Sequence, residues 1–538
     1  MTIVIAVGLG LGCLGPVPGE GDKTLEFYSE SAYEFVVEGR TALELEDGLR
    51  DASDEAQTQR LHELIGLKHV AIAYFLTQYF IEKDDNEPGA GWGGMGGLAR
   101  AGSYRELDIR RVDSLRYEFT FQQIVAGPVD LLRHLPLETG EDGQPRFVVT
   151  IGNPSNAELA ELESDHEWFR SQPWAGWNPA RAEPAQRVDQ MLSISPAERG
   201  ADAWLDYPRL FEDDKLTIDV HMGYDYHNQY HVAHSRTVFQ WLVGELGFEP
   251  PVATFEQLDN TSGPFRRDLD ANGRTIGVEL QLFYGKDGSS NDPSTDEGGR
   301  VMDEDFRRSM ATADVILFSG HSGPFYGFAL ANWKRTSEGD ISYREIESIE
   351  MPADRYQVVM ADGCDTYQTA QAFERNPNKL GGRNINVVTT TSWGDAETPD
   401  TVKSMITHLV GTDPQTDVHR PRTLRSLLTQ LENAGDAAPL YGIHFIGDNP
   451  RLHPYADTSY LCEPCSYHRQ CGAAGNRCAN LGDEPGVCVA ACTASEVCPA
   501  GYTCERIARP SAHAIYDYGC IREGLLERRD DVADLCDW

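Results

Sequence analysis

The sequence predicts an α/β fold, a mostly parallel sheet sandwiched by helices, preceded by a mixed α+β N-terminal domain and followed by a small disulfide-rich module. Three observations carry this. From residue 215 onward apolar strands alternate with helical patterns, the order that builds parallel sheets. Ten of the twelve cysteines (462, 465, 471, 478, 488, 492, 498, 504, 520 and 536) crowd into the last 77 residues, an even set at close spacing that pairs off as disulfides. The length, 538 residues, exceeds what one core supports; at roughly 150 residues per domain it divides into about three or four.

The first segment, 1–19, reads as an export signal. Ile3 to Leu14 form an apolar run ending at Gly15-Pro16, too short to span a bilayer and suited to a signal h-region. Gly10-Leu11-Gly12-Cys13 is similar to a bacterial lipobox, which makes Cys13 a candidate lipid anchor, although Gly10 stands where such motifs carry Leu. No other stretch is long and apolar enough for a transmembrane helix. The expectation is a protein secreted from a bacterium or held on its outer surface.

Residues 20–214 are expected to form the mixed α+β domain. Leu61, Leu64, Ile65, Ile72, Phe75, Leu76 and Tyr79 recur at helical spacing between Gln57 and Ile81, giving one core helix with a buried face. The glycine-rich run 89–97 lacks the Gly-Lys-Ser/Thr ending of a phosphate loop and reads as a linker. Leu115, Tyr117, Phe119 and Phe121 alternate with polar residues, as do Leu107 and Ile109, and Phe147 to Ile151 adds another strand.

Residues 215–457 carry the α/β order: a strand from Leu216 to Met222, a helix from Ser235 to Leu246, a strand from Ile276 to Tyr284 and a helix from Val301 to Ala311. Three further strands follow, one entering Ser319-Gly320-His321, one entering Asp362-Gly363-Cys364 and one from Asn386 to Trp393, with a helix from Gln368 to Glu374 after the second. Ligands bind beyond the carboxyl ends of such strands, so His321 and Cys364 are expected to face one crevice. Cys364 is the only cysteine between Cys13 and Cys462. A thiol of ordinary pKa about 8.5 needs an imidazole or a helix N-terminus to ionise, and this segment offers both.

Residues 215–457 resemble the caspase-like cysteine peptidases, most closely the gingipain branch. The resemblance rests on Ser319-Gly320-His321-Ser322-Gly323, on Asp362-Gly363-Cys364-Asp365-Thr366-Tyr367 and on Ile446-Gly447-Asp448-Asn449-Pro450. It implies a cysteine endopeptidase acting on a protein or peptide substrate, with Cys364 as nucleophile, His321 as proton carrier and the amides of Ser322 and Cys364 as oxyanion hole. It also implies a substrate pocket formed by Asp225, Trp393 and Asp395, suited by charge and cation–π contact to a basic side chain. No cofactor is required for such catalysis. Ser322 departs from the glycine usual after the histidine, and Asp362-Gly363-Cys364 from the Ala-Cys of caspases. The alternative is a non-catalytic surface or adhesion protein with a degenerate peptidase-like domain.

Two segments suggest metals. Asp268, Asp270, Asn272 and Glu279 have the spacing of a structural Ca2+ loop, and Asn272-Gly273 equally suits a hairpin turn. His227, His231 and His234 share helical spacing, which fits either zinc or a crevice-lining cluster. The tail, 458–538, should be held by five disulfides, a binding or attachment module too small to bury much core. Lys plus Arg number 46 against 85 for Asp plus Glu, a net charge of -39 that repels phosphate backbones, so no nucleic acid partner is expected.

Overall fold

The structure is a computed structural model that describes residues 26–86, 104–160, 173–174, 177–225, 229–323, 327–364, 366–391, 398–434, 440–472, 474–479, 486–507 and 518–523. The signal segment with Cys13 and the glycine-rich linker 89–97 lie outside the described residues.

The N-terminal domain is an antiparallel sheet backed by one long helix. Its strands are β1 (Ala32–Glu44), β2 (Tyr104–Arg111), β3 (Arg116–Pro128), β4 (Glu138–Thr139), β5 (Pro145–Gly152) and β6 (Arg187–Pro196), in the order β2-β3-β1-β6-β5-β4. The expected helix is α1 (Asp54–Asn86); its start is set by Ser53, whose hydroxyl accepts the Ala56 amide at 3.2 Å, and by Asp54 and Glu55 in the first turn. Leu61, Leu64, Ile65, Ile72, Phe75 and Leu76 are buried with Phe119, Phe121, Val149, Ile151 and Leu192 of the sheet. Each such side chain contributes about 1.5–3 kcal/mol by leaving water. Two short helices, α2 (Leu131–His134) and α3 (Asn156–Ala160), complete the unit.

The central unit begins with α4 (Tyr207–Leu210) and β7 (Lys215–Met222), then runs α5 (Tyr230–Gly244), β8 (Phe265–Asp270), β9 (Thr275–Tyr284), α6 (Asp296–Thr312) and β10 (Val315–Ser319). A small three-stranded sheet follows, β11 (Ser322–Gly323), β12 (Gly327–Ala329) and β13 (Asp340–Ile341), and then α7 (Tyr343–Ile346), β14 (Gln357–Asp362), α8 (Tyr367–Arg375), β15 (Ile385–Thr390), α9 (Asp400–Val410), α10 (Leu424–Glu432) and β16 (Tyr441–His444). The large sheet has the order β16-β15-β14-β10-β7-β9-β8. Strands β9, β7, β10, β14 and β15 pair in parallel, while β16 and β8 close the two sides antiparallel.

Alternate residues of each strand serve opposite faces. Ile218, Val220, Leu317, Val358, Met360 and Val388 pack with α5, α9 and α10; Ile316, Phe318, Val359, Ala361 and Val387 pack with α6, α7 and α8. The α/β class and the helical cover on both faces agree with the sequence expectation. The order reverses at β7, since the chain leaves it for β9 on one side and returns through α6 to β10 on the other. In open α/β sheets such a reversal, here at the carboxyl ends of β7 and β10, is where ligands bind.

The core does not respect the boundary expected at 214. Ala203, Leu205, Tyr207, Leu210 and Phe211 belong to the α/β core, and so does Tyr28. Tyr28 and Ile443 exchange both backbone hydrogen bonds at 2.9 Å, so the segment before β1 covers the outer edge of β16.

The tail consists of β17 (Pro464–Cys465), β18 (Asn476–Ala479), β19 (Gly486–Ala490), β20 (Tyr502–Arg506) and β21 (Tyr518–Arg522). Four disulfides hold it: Cys465–Cys478, Cys471–Cys488, Cys492–Cys504 and Cys498–Cys520. Of the remaining pair needed for a fifth, Cys462 is in no disulfide among the described residues and Cys536 lies outside them. The sulfurs that cluster closely enough to hold a metal are these same disulfide sulfurs. Trp204, fully buried, anchors the tail through Ala479, Val489, Ala491, Ile507 and Ile521. No helix among the described residues is long and apolar enough to cross a membrane.

Candidate active site

Three neighbouring strands end in the same way, with a glycine and then a polar or reactive side chain: Gly223 leading to Asp225 after β7, Gly320-His321 after β10, and Gly363-Cys364 after β14. The parallel ladder runs on past the strand ends, with the Gly223 amide donating to Ser319 O at 2.9 Å and the Gly320 amide to Asp362 O at 3.0 Å. The glycines make this approach sterically possible. A Cβ on Gly320 would stand 2.8 Å from Gly223 Cα, and one on Gly363 would overlap Ser322 Oγ and stand 2.7 Å from Gly320 O.

Register then places the side chains. Met222 pairs with Ser319 and Ser319 with Asp362, so His321 and Cys364 each lie two residues beyond paired positions on strands about 4.8 Å apart. His321 Nε2 donates to Asp225 Oδ1 at 3.0 Å; the carboxylate side chain is 8% exposed and the imidazole 24%. Donation from Nε2 to a carboxylate selects the tautomer in which Nδ1 is the proton acceptor.

Asp225 is itself fixed from behind. Its Oδ2 accepts the Tyr230 amide at 3.2 Å, and its own amide donates to His231 Nδ1 at 3.3 Å. Burial pushes His231 down to about 4, so its ring stays neutral and able to accept. Both Asp225 oxygens thus have protein partners, His321 on Oδ1 and Tyr230 on Oδ2, whereas the sequence reading placed this carboxylate in the substrate pocket. Trp393 and Asp395, the other two pocket candidates, lie outside the described residues.

The cysteine turn is held as firmly. Cys364 is half-buried between β14 and α8, and its carbonyl accepts Ser322 Oγ at 3.0 Å. The Gly363 carbonyl accepts Thr390 Oγ1 at 2.5 Å. Asp362, buried, accepts three hydroxyls: Ser319 at 2.8 Å, Thr401 at 2.7 Å and Tyr441 at 2.5 Å. Its position in the motif was visible in the sequence, but its donors come from three distant elements and were not.

Ser322 opens β11. The Ala329 amide donates to His321 O at 3.0 Å, and the alternation of an antiparallel ladder turns the Ser322 amide away from β12.

The residues with calcium-loop spacing lie in a hairpin and have protein partners. Asp270 and Thr275 are paired ends of a β8–β9 hairpin whose turn holds Asn272 at φ 59° and Gly273 at φ 89°. Asp270 Oδ1 caps that turn by accepting the Gly273 amide at 2.6 Å. Glu279, the ligand a calcium loop needs at its twelfth position, is instead paired with Lys215 at 2.6 Å and Arg266 at 3.2 Å. The carboxylates of Asp268, Asp270 and Glu279 do not gather closely enough to hold one ion.

The histidines at helical spacing have separate roles where they are described. His231 serves Asp225, His234 stacks on Tyr230 at 5.5 Å, and His227 lies outside the described residues. No family model, curated protein or solved structure matches this chain.

Proposed function

We propose that the protein is a cysteine endopeptidase that hydrolyses peptide bonds through Cys364 and His321, with Asp225 orienting the imidazole. The observation that carries this is the hydrogen bond from His321 to a buried carboxylate, at the strand end beside the cysteine turn. A base oriented by a third group is the signature of an activated nucleophile. The resemblance of the Ser319–Gly323 and Asp362–Tyr367 motifs to caspase-like, gingipain-type peptidases supports the same assignment.

In this reading His321 Nδ1 takes the proton of Cys364 and the thiolate attacks the peptide carbonyl carbon. The N-terminus of α8, just past Cys364, favours the thiolate. The amides of Ser322 and Cys364 stabilise the oxyanion, and the protonated imidazole delivers its proton to the leaving amine. Water then releases the acyl group from the Cys364 thioester. Four disulfides and the lack of a membrane-spanning helix among the described residues fit an extracellular protein.

Alkylation by iodoacetamide without reductant tests the assignment. Uptake at Cys364 that is lost in His321→Ala supports it. A Cys364 that stays unlabelled in the folded protein favours a non-catalytic scaffold.

A further inference from the structure

We infer that Glu34 of the N-terminal sheet and Tyr367 of α8 form a latch that positions the turn bearing Cys364, which makes the N-terminal domain a permanent part of the catalytic unit. The inference rests on Cys364 being the nucleophile. Tyr367 is the first residue of α8, three residues past Cys364, and only 2% exposed. Its hydroxyl donates to the Glu34 carboxylate on β1. The ring is gripped edge-on by Phe27, at 5.9 Å and 71°, and by His444 of β16, at 4.9 Å and 61°.

A second path joins the same two regions. Ser29 Oγ donates to Tyr441 O at 2.6 Å, and Tyr441 donates to Asp362, two residues before Cys364. The N-terminal segment thus reaches the nucleophile turn from both sides. Removing it as a pro-segment would strip the edge of β16 and expose Phe27 and Tyr28, each 3% exposed.

The titratable groups facing Glu34 are Tyr367 and Glu374 of α8, with His444 behind the tyrosine ring. Burial, opposed by the Tyr367 hydrogen bond and aided by Glu374, pushes Glu34 up to about 7, so glutamine is a fair copy of its protonated form.

The test uses the full chain and three variants, Tyr367→Phe, Glu34→Leu and Glu34→Gln. Two quantities are read: the rate of Cys364 alkylation by iodoacetamide across pH 5–9, and amide hydrogen exchange over 364–375. Loss of one part-buried hydrogen bond predicts alkylation about three- to tenfold slower in Tyr367→Phe and Glu34→Leu, with the thiol's apparent pKa raised. Exchange in the first turn of α8 should quicken by a similar factor, and Glu34→Gln should restore wild-type behaviour in both. Wild-type exchange in Tyr367→Phe, which removes a single oxygen, overturns the latch. If instead the wild-type thiol ignores the reagent, the nucleophile assignment falls while exchange still decides the latch.

Discussion

His321 and Asp225 are 96 residues apart in the chain and 3.0 Å apart in the fold, joined by a hydrogen bond from Nε2 to Oδ1 at the carboxyl ends of β10 and β7. The relationship turns a candidate cysteine–histidine dyad into a row of three groups on adjacent strands.

It predicts what Asp225→Ala does. A positioning carboxylate affects every substrate alike, so kcat/KM should fall roughly 10²-fold for peptides with basic and neutral residues before the cleaved bond. A loss confined to basic substrates, measured on a peptide library, would instead return Asp225 to the pocket.

Gly363→Ala should remove activity by displacing the turn. The new methyl overlaps Ser322 Oγ and presses on the Gly320 carbonyl, which strand pairing prevents from retreating. Overpacking of this kind costs about 1–3 kcal/mol. Thermal melting and Cys364 alkylation should both report it, while Gly244→Ala, with open space around its Cβ position, should leave both unchanged.

The β8–β9 hairpin predicts indifference to calcium. Adding millimolar Ca2+ or a chelator should leave Tm unchanged. Gly273→Ala should lower stability by about 1 kcal/mol because the residue sits at φ 89°.

Buried carboxyls where the N-terminal segment meets the α/β unit set a pH dependence. Burial pushes Glu432, which accepts Ser31 Oγ, up to about 7, and Asp202 up to about 6. Folded values above the unfolded ones mean that the folded state holds the extra protons. Their stabilising contribution is full below about pH 4 and is lost as pH rises to about 7. Buried His221, His408, His419, His444 and His453 act in the opposite sense. Burial pushes them down to about 3, so the stability they contribute is present above about pH 6.5 and is lost as pH falls toward 3. Melting curves should therefore drop below about pH 6, with the carboxyls softening the slope. Glu432→Gln should raise Tm more at pH 8 than at pH 5, by about 2–4 °C for each kcal/mol relieved; an equal change at both pH values would contradict the assignment.

Much of the central unit was legible in the sequence. The strands expected at 216–222, 276–284 and 386–393 and the helices around 235–246, 301–311 and 368–374 announce themselves through periods of two and 3.6, which depend only on neighbours along the chain. The Gly-His and Gly-Cys strand ends were legible for the same reason. Strands β1 and β6 of the N-terminal sheet were not singled out. Neither was the contribution of 203–211 to the α/β core, since only burial in the finished fold shows which side of a boundary a segment joins.

The sequence by itself determined the order of strands and helices, the positions of His321 and Cys364 at strand ends, and the cysteine-rich tail, because local periodicity and composition encode these. Tertiary structure decided what Asp225 touches, that Asp270 caps a hairpin, that Glu279 answers to Lys215 and Arg266, and that Glu34 reaches Tyr367. Each is a choice among chemically equivalent carboxylates in a chain that holds 85 of them. Sheet register makes that choice, because it brings residues far apart along the chain within hydrogen-bonding reach.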